Sequence, residues 1–452
     1  MKSAYEGLAL KKLSGNIILN IIRQGFGIII GLGLSILLAR SLGPTGNGQY
    51  AMGILLPSMF ATFLSLGISP ANVYFIASKK VNLFSAFKAN IFLWLVLSAL
   101  GILLSVFVIE TKSNALFPGI SLSFIWLGIL AFPFLILGDF LGGIFQGLQD
   151  FKKYSFVSAM FPAMILLFTI LLVGVLKLGV FGALLSFILG NLFGILIALI
   201  LLKPSIQKAS GKYEKGELKK YVKECLDYGW KSHLSNILTF VNYRSDIFFV
   251  NLLLTPDATG IYVLAVSIAE KLWILSRSVS MVILPRLSEL NEDEEKRKQL
   301  TPLITRWVLL ISSIGTLIFA LVASPLINLL YGIEFHSAVG ALLLLLPGIL
   351  IGNMSKILSN DIASRGKPEL NFYVSVLVVF VNVVFDIVLI PMLGIKGAAI
   401  ATTIAYGVDA IAKLWLYSYL SKIPWWRTIV FSTSDKLLLQ KSLSTAKNRL
   451  YK

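Results

Sequence analysis

Cysteine and histidine are almost missing from this sequence: Cys225 is the one cysteine in 452 residues, and His233 and His336 are the two histidines. An intrachain disulfide is therefore impossible, and too few thiolate and imidazole ligands exist for a His/Cys metal site, so no metal or cofactor is expected. Charge is scarce as well. Asp, Glu, Lys and Arg together make up 14% of the chain against 57% hydrophobic residues, and the mean hydropathy is +0.84. A water-soluble surface cannot be assembled from that composition. Acidic residues are the scarcer sign, 22 against 40 basic, which leaves a net charge of +18. The glycine-rich stretch Gly43 to Gly48 has no G-K-[ST] ending and reads as a tight turn, not a phosphate loop. The first apolar run, Ile17 to Leu38, is too long for a secretory core and no A-x-A site follows it.

What the chain has instead is long apolar runs, such as Ala89 to Ile109, Ile120 to Leu137 and Val157 to Leu176. Each approaches the roughly 20 residues that cross ~30 Å of hydrocarbon. Hydropathy, Gly/Pro breaks and charge predict twelve spans, at 16-39, 49-77, 84-109, 119-148, 155-176, 179-202, 228-253, 258-283, 303-323, 338-363, 370-390 and 396-420. Spans two and four are long and hold Pro57, Pro70 and Pro133, where kinks are expected. Basic residues test the orientation independently, because Lys and Arg beside short loops favour the cytoplasmic side. With the N-terminus inside, thirty fall on the inner side and four (Arg40, Lys112, Lys177 and Lys396) on the outer. The expectation is a multi-pass protein of the cell (inner) membrane with both termini cytoplasmic. The positive excess then faces an anionic leaflet, and no nucleic-acid partner is needed to account for it.

Overlaying the two halves exposes a repeat. Leu42-x-Pro44-x3-Gly48-x-Tyr50 follows span one, and Leu254-x-Pro256-x3-Gly260-x-Tyr262 follows span seven, 212 residues later. Pro133 with Gly138-Asp139 matches Pro347 with Gly352-Asn353 at an offset of 214, and Leu178-Gly-Val-Phe-Gly182-Ala matches Leu393-Gly-Ile-Lys-Gly397-Ala at 215. The fold class expected is an all-α membrane protein, about twelve transmembrane helices in two parallel-repeat six-helix bundles. The bundles are 1-202 and 228-421, with a basic cytoplasmic linker at 203-227 and a cytoplasmic tail at 422-452. In the tail, Trp425 and Trp426 suit an interfacial belt and Lys436 to Leu450 a basic amphipathic helix.

A charge near the bilayer centre costs roughly 2.5–3.5 kcal/mol on insertion scales, so each needs a partner, water or an escape to the interface. Asn16, Asn20, Arg23, Gly27 and Gly31 form one stripe on span one. Arg23 either snorkels to the inner interface or faces a wet cavity. On span seven Ser235, Thr239, Asn242 and Asp246 share a face, with His233, Arg244 and Asn251 roughly opposite. On span eight Glu270 and Arg277 share a face but stand about 10 Å apart by helix rise, too far to pair. Span ten aligns Asn353, Lys356, Asn360 and Ser364, with Asp361 alongside. Interhelical hydrogen bonding accounts for such residues singly. Clustered on spans 7, 8 and 10, they suggest a cavity lined by Arg and Lys that suits an anionic substrate. The run Asn291 to Lys298 (NEDEEKRK) reads as a solvated loop.

Several segments resemble one known family: LARSLGPTGNGQYA at 38-51, GIFQGLQDFKKYS at 143-155, NYRSDIFFV at 242-250, GIYVLAVSIAEKLW at 260-273, LPRLSEL at 284-290 and ASRGKP at 363-368. In that order they are similar to the polysaccharide exporters of the multidrug/oligosaccharidyl-lipid/polysaccharide superfamily. The resemblance implies a V-shaped pair of six-helix bundles. It also implies a flippase moving a polyprenyl-diphosphate-linked oligosaccharide, an O-antigen, capsule or exopolysaccharide repeat unit, by alternating access. No covalent chemistry is required, so the protein is not expected to be an enzyme. Partners would be the lipid-linked glycan, membrane lipids, and a glycan polymerase or glycosyltransferases. The candidate headgroup contacts are Arg23, Arg244, Lys271, Arg277 and Lys356, and the candidate ion-coupling residues are Asp139, Asp246, Glu270 and Asp361. One alternative is a cation-coupled drug or metabolite exporter of the same superfamily, which would favour acidic residues in the cavity. A membrane-embedded glycan polymerase is a further one, but it needs a sizeable outer loop, and the largest expected is Ser324 to Ser337.

Overall fold

The structure is a computed structural model that describes residues 2–210, 216–290 and 293–431, with side chains described from residue 25 onward except at 231 and 232. The helices are α1 (Lys2–Leu64), α2 (Ile68–Ala77), α3 (Leu83–Leu116), α4 (Leu122–Ile129), α5 (Phe132–Gly147), α6 (Phe151–Thr169), α7 (Gly179–Ser210) and α8 (Glu217–Leu253). They continue with α9 (Pro256–Ala269), α10 (Ile274–Glu289), α11 (Glu294–Tyr331), α12 (Ala338–Ser364), α13 (Pro368–Leu393), α14 (Ile395–Ser421) and the short α15 (Trp426–Ile429). A π turn, Ile170–Val175, extends α6, and a 3₁₀ turn, Glu270–Trp273, joins α9 to α10.

Ten segments among the described residues are long and apolar enough to cross a membrane. The first, Gly25–Leu64, has 40 residues, about 60 Å of helix at 1.5 Å per residue, against ~30 Å of hydrocarbon. Gly43 breaks it, with φ 65° and ψ −178°, a conformation that only glycine adopts readily, and Pro44 opens the next helical turn. Those 40 residues therefore make two crossings. The tight turn expected within Gly43 to Gly48 is confined to Gly43, the one residue there that leaves helical φ/ψ, and one helix ends and the next begins at it. The polar stripe on α8 keeps it out of the apolar set, yet at 37 residues it is long enough to span. The protein is thus an all-α membrane protein of about twelve transmembrane helices. Large exposed apolar side chains such as Leu103, Phe107, Leu321 and Met392 cover the outside, as a lipid-facing surface requires.

Two compact units emerge, Met1–Leu264 with Asn328–Ser337, and Ala265–Ile327 with Ala338–Lys452. In the first, Leu38, Tyr50, Val173, Ala183 and Leu184 form an apolar core. The start of α8 is tied to α2 and α3 in this unit. Asn72 and Asn90 exchange side-chain hydrogen bonds of 2.8 and 2.9 Å, Tyr221 donates to Asn72 Oδ1 at 2.6 Å, and Glu217 accepts from the Asn82 amide at 2.8 Å. Much of the stretch 203–227 is accordingly helical: α7 runs on through Pro204 to Ser210 and α8 resumes at Glu217. At the far end of α11, Arg40 donates to the carbonyls of Leu329 and Leu330, which the helix leaves without partners of its own. Helix persists to Tyr331 there, so the loop expected at Ser324 to Ser337 is shorter than the sequence suggests.

The two segments expected to be repeat copies touch directly in this unit. A Cβ on Gly48 would overlap the Pro256 carbonyl oxygen, and a Cβ on Gly260 would overlap the Pro44 carbonyl oxygen. Asn47 donates to the Gly260 carbonyl at 3.1 Å, and Thr45 donates to Asp257 at 3.1 Å. Elsewhere Gly179 and Gly394, one in each copy, share positive φ values of 59° and 62° just at the openings of α7 and α14.

In the second unit, Met354, Leu358, Ala410, Leu414 and Tyr417 join α12 to α14, and Ile283, Leu287, Val308 and Ile357 join α10, α11 and α12. The acidic-basic run was read as a solvated loop; Asn291 and Glu292 lie outside the described residues, but Glu294 to Lys298 open α11. Arg297 is only 2% exposed. Burial follows from pairing, since Asp361 at the end of α12 offers that guanidinium a carboxylate. Residues 436–450 also lie outside the described residues, whereas Trp425 and Trp426 are exposed.

Candidate functional site

The second unit concentrates charge around one indole. The helix entering as α9 tightens into the 3₁₀ turn Glu270–Trp273 before continuing as α10, and such mid-span turns often mark functional breaks. Trp273, at the end of that turn, is 1% exposed. Its ring lies 5.5 Å from that of Tyr406 on α14. The Lys356 ammonium on α12 sits 3.4 Å from the ring centroid of Trp273, and the Arg277 guanidinium, one turn along α10, sits 5.7 Å from it. Both are within cation–π reach. Around Lys356 the field is set by Arg277 and Lys413 on one side of the ledger of sign and by Glu270 and Asp409 on the other. Lys413 is paired to Asp409 at 2.8 Å, and Ser355 donates to the same carboxylate.

The expected site residues divide between the units. Lys271, Arg277 and Lys356 belong to the second unit, where two of them share the Trp273 ring and Lys271 lies on the same 3₁₀ turn as Glu270. Arg244 belongs to the first unit, on α8, where its guanidinium reaches the Tyr243 carbonyl at 3.3 Å. Arg23 lies on α1, and its side chain, like those of Asn16 and Asn20, is outside the described residues. Of the carboxylates, Asp139 stands on α5 beside Ser69 of the first unit. Asp246 is buried on α8 and accepts from the Tyr262 hydroxyl at 2.7 Å. Tyr262 is the tyrosine of the second repeat copy, whereas Tyr50 of the first packs in an apolar core.

Asp361 sits in a closed ionic network. It is fully buried, accepts from Thr301 at 2.7 Å, bonds the Arg365 Nε, and lies 3.9 Å from Arg297. Glu294 takes a second edge of Arg365 at 2.8 Å. Burial opposes the charge of Arg365, but Asp361 and Glu294 outweigh it and hold the guanidinium pKa above its usual value. Sequence reasoning missed Trp273, Asp409 and Lys413 as parts of one cluster. The i,i+4 spacing of Asp409 and Lys413 was a usable signal; a tryptophan inside an apolar run carries none. Asn382 and Asp386 form a further fully buried pair, one turn apart on α13 and joined at 2.7 Å.

A family model described as polysaccharide biosynthesis protein matches residues 13–291, more than half of the chain. The chain belongs to the polysaccharide biosynthesis protein family. Among its relatives, a probable low-salt glycan biosynthesis flippase, Agl15 of Haloferax volcanii, is 24% identical over 197 residues, 42% of this chain and 41% of that protein. The match thus spans well under half the length of that flippase. A putative O-antigen transporter of Shigella flexneri is 24% identical over 418 residues, covering 85% of this chain and 93% of the transporter. Among solved structures, the lipid II flippase MurJ in an inward closed conformation superposes with a TM-score of 0.71 at 18% identity, covering 93% of this chain and 89% of MurJ. That likeness establishes the fold. In this member of the polysaccharide biosynthesis protein family, the Trp273 cluster lies in the same span as the segment 260-273 that carried the family resemblance.

Proposed function

We propose that this protein is a flippase that carries a polyprenyl-diphosphate-linked oligosaccharide, the repeat unit of an O-antigen, capsule or exopolysaccharide, across the cytoplasmic membrane by alternating access. The observation that carries this reading is the placement of Arg277 and Lys356 on one buried ring inside an apolar unit. Lys413 already has Asp409, so among the described groups acting on Lys356, Glu270 is the carboxylate left to face two cations. Such a surplus in a membrane-spanning bundle calls for an anion, and phosphate oxygens accept charge-assisted hydrogen bonds from both side chains. A cation-exporting pocket would carry the opposite surplus.

In this reading Arg277 and Lys356 take the diphosphate, and Lys271, Arg23 and Arg244 meet the headgroup at another stage of its passage. The repeat units 1-202 and 228-421 act as the two moving bundles, with both termini cytoplasmic and the lipid tail left in the bilayer. Asp139, Asp246 and Glu270 are the carboxylates suited to exchange a coupling ion; Asp361 would first have to release two arginines. No bond is made or broken in transport, and a glycan polymerase or glycosyltransferases act before and after it.

Deleting the gene should cause lipid-linked glycan to accumulate on the inner leaflet. Replacing Arg277 and Lys356 together by alanine should cut surface glycan by about tenfold or more, given roughly 1.5–3 kcal/mol for each charge-assisted hydrogen bond, with the protein still inserted. Normal surface glycan in that double variant would sink the proposal.

A further inference from the structure

We propose that Trp273 is a positioning residue that makes the cation site selective for a diphosphate over a monophosphate. The inference rests on the reading that this cluster receives the headgroup. Lysine and arginine side chains have large rotamer freedom, and two like charges left to themselves move apart. Here both are held to one indole, at 3.4 and 5.7 Å from its centroid, so they stand no farther apart than the sum of those distances. The indole is itself immobilised. It is 1% exposed, packs on Tyr406, and lies so near α12 that a Cβ on Gly352 would be 3.7 Å from its Nε1.

Trp273 is too enclosed to meet a substrate, and its effect passes through the two cations. A single phosphate gathers its oxygens about one phosphorus and engages one cation well. A diphosphate offers two groups of oxygens joined by a bridge, one for each cation. Lys413 does not provide a third anchor, since it is paired to Asp409, whose carboxylate also accepts from Ser355. Glu270 sharpens the choice, because its charge repels any anion and only the more highly charged one gains enough from both cations to offset that. A prenyl monophosphate in the same membrane would be passed over, and the loaded diphosphate carrier taken.

The test uses the purified full-length protein and two probes, inorganic pyrophosphate and inorganic phosphate, in equilibrium competition. Wild type should prefer pyrophosphate by about tenfold or more. Trp273→Leu should bring the ratio near one, Trp273→Phe should leave an intermediate value, and ring-fluorinated tryptophans at 273 should lower it stepwise. Fluorination keeps the shape of the ring while weakening its attraction for cations, so it decides the matter even if the leucine variant does not fold. A pyrophosphate preference unchanged by fluorination would overturn the role of Trp273 and leave the flippase reading standing. Wild type that binds neither anion would overturn both.

Discussion

Removal of the Asp361 carboxylate would leave Arg297 and Arg365 in the interior with a positive charge and no full counter-charge. Both guanidiniums are buried or nearly so, and breaking a buried pair by deleting one partner costs about 3–5 kcal/mol. Asp361→Asn keeps the shape and a hydrogen bond to Thr301 yet loses the charge. It should lower the melting temperature of the detergent-purified protein markedly, and a melt equal to wild type would mean that the network is not what holds α11 to α12. Stability is thus the first readout at this position, before any effect on ion coupling is assigned. Lys356→Ala removes a cation that already rests on a ring, and it should alter anion binding with a much smaller change in melting. The two residues are five apart on one helix, and what separates their roles is the partner each meets.

At the scale of elements, Gly43 sets the angle between the first two spans. Its φ of 65° with ψ near −178° belongs to a region that other residues enter at about 1–3 kcal/mol. Gly43→Ala should therefore destabilise the protein by about that amount, as followed by thermal unfolding, while Gly142→Ala, on α5 with open space around its Cβ position, should not. Hydropathy made nearly every span legible because each apolar run must match one bilayer thickness. It placed the turn at Gly43 to Gly48 but not its length, since a Gly-rich stretch signals a change of direction without saying how many residues the change takes. It misjudged NEDEEKRK. Composition registers charge, whereas the burial of Arg297 depends on a carboxylate 64 residues away in sequence. The cations of the candidate site were legible one by one as costly intramembrane charges. Their common anchor was not, because Trp273 is indistinguishable in sequence from any other aromatic in a core.

For the whole molecule, orientation is the property that the basic residues predict. Reporter fusions after Lys112 and after Lys215 should report opposite sides of the membrane; agreement between the two would break the inside assignment of both termini. The contact between the repeat copies bears on how the gene can change. Gly48 meets Pro256 and Gly260 meets Pro44, so each copy is at once the protruding and the receiving partner. This is the isologous arrangement of a twofold dimer interface, realised within one chain. A side chain added to either glycine is felt by the opposite copy's backbone, and neither copy can drift alone at this point. The two matching segments are in this respect each other's binding partners.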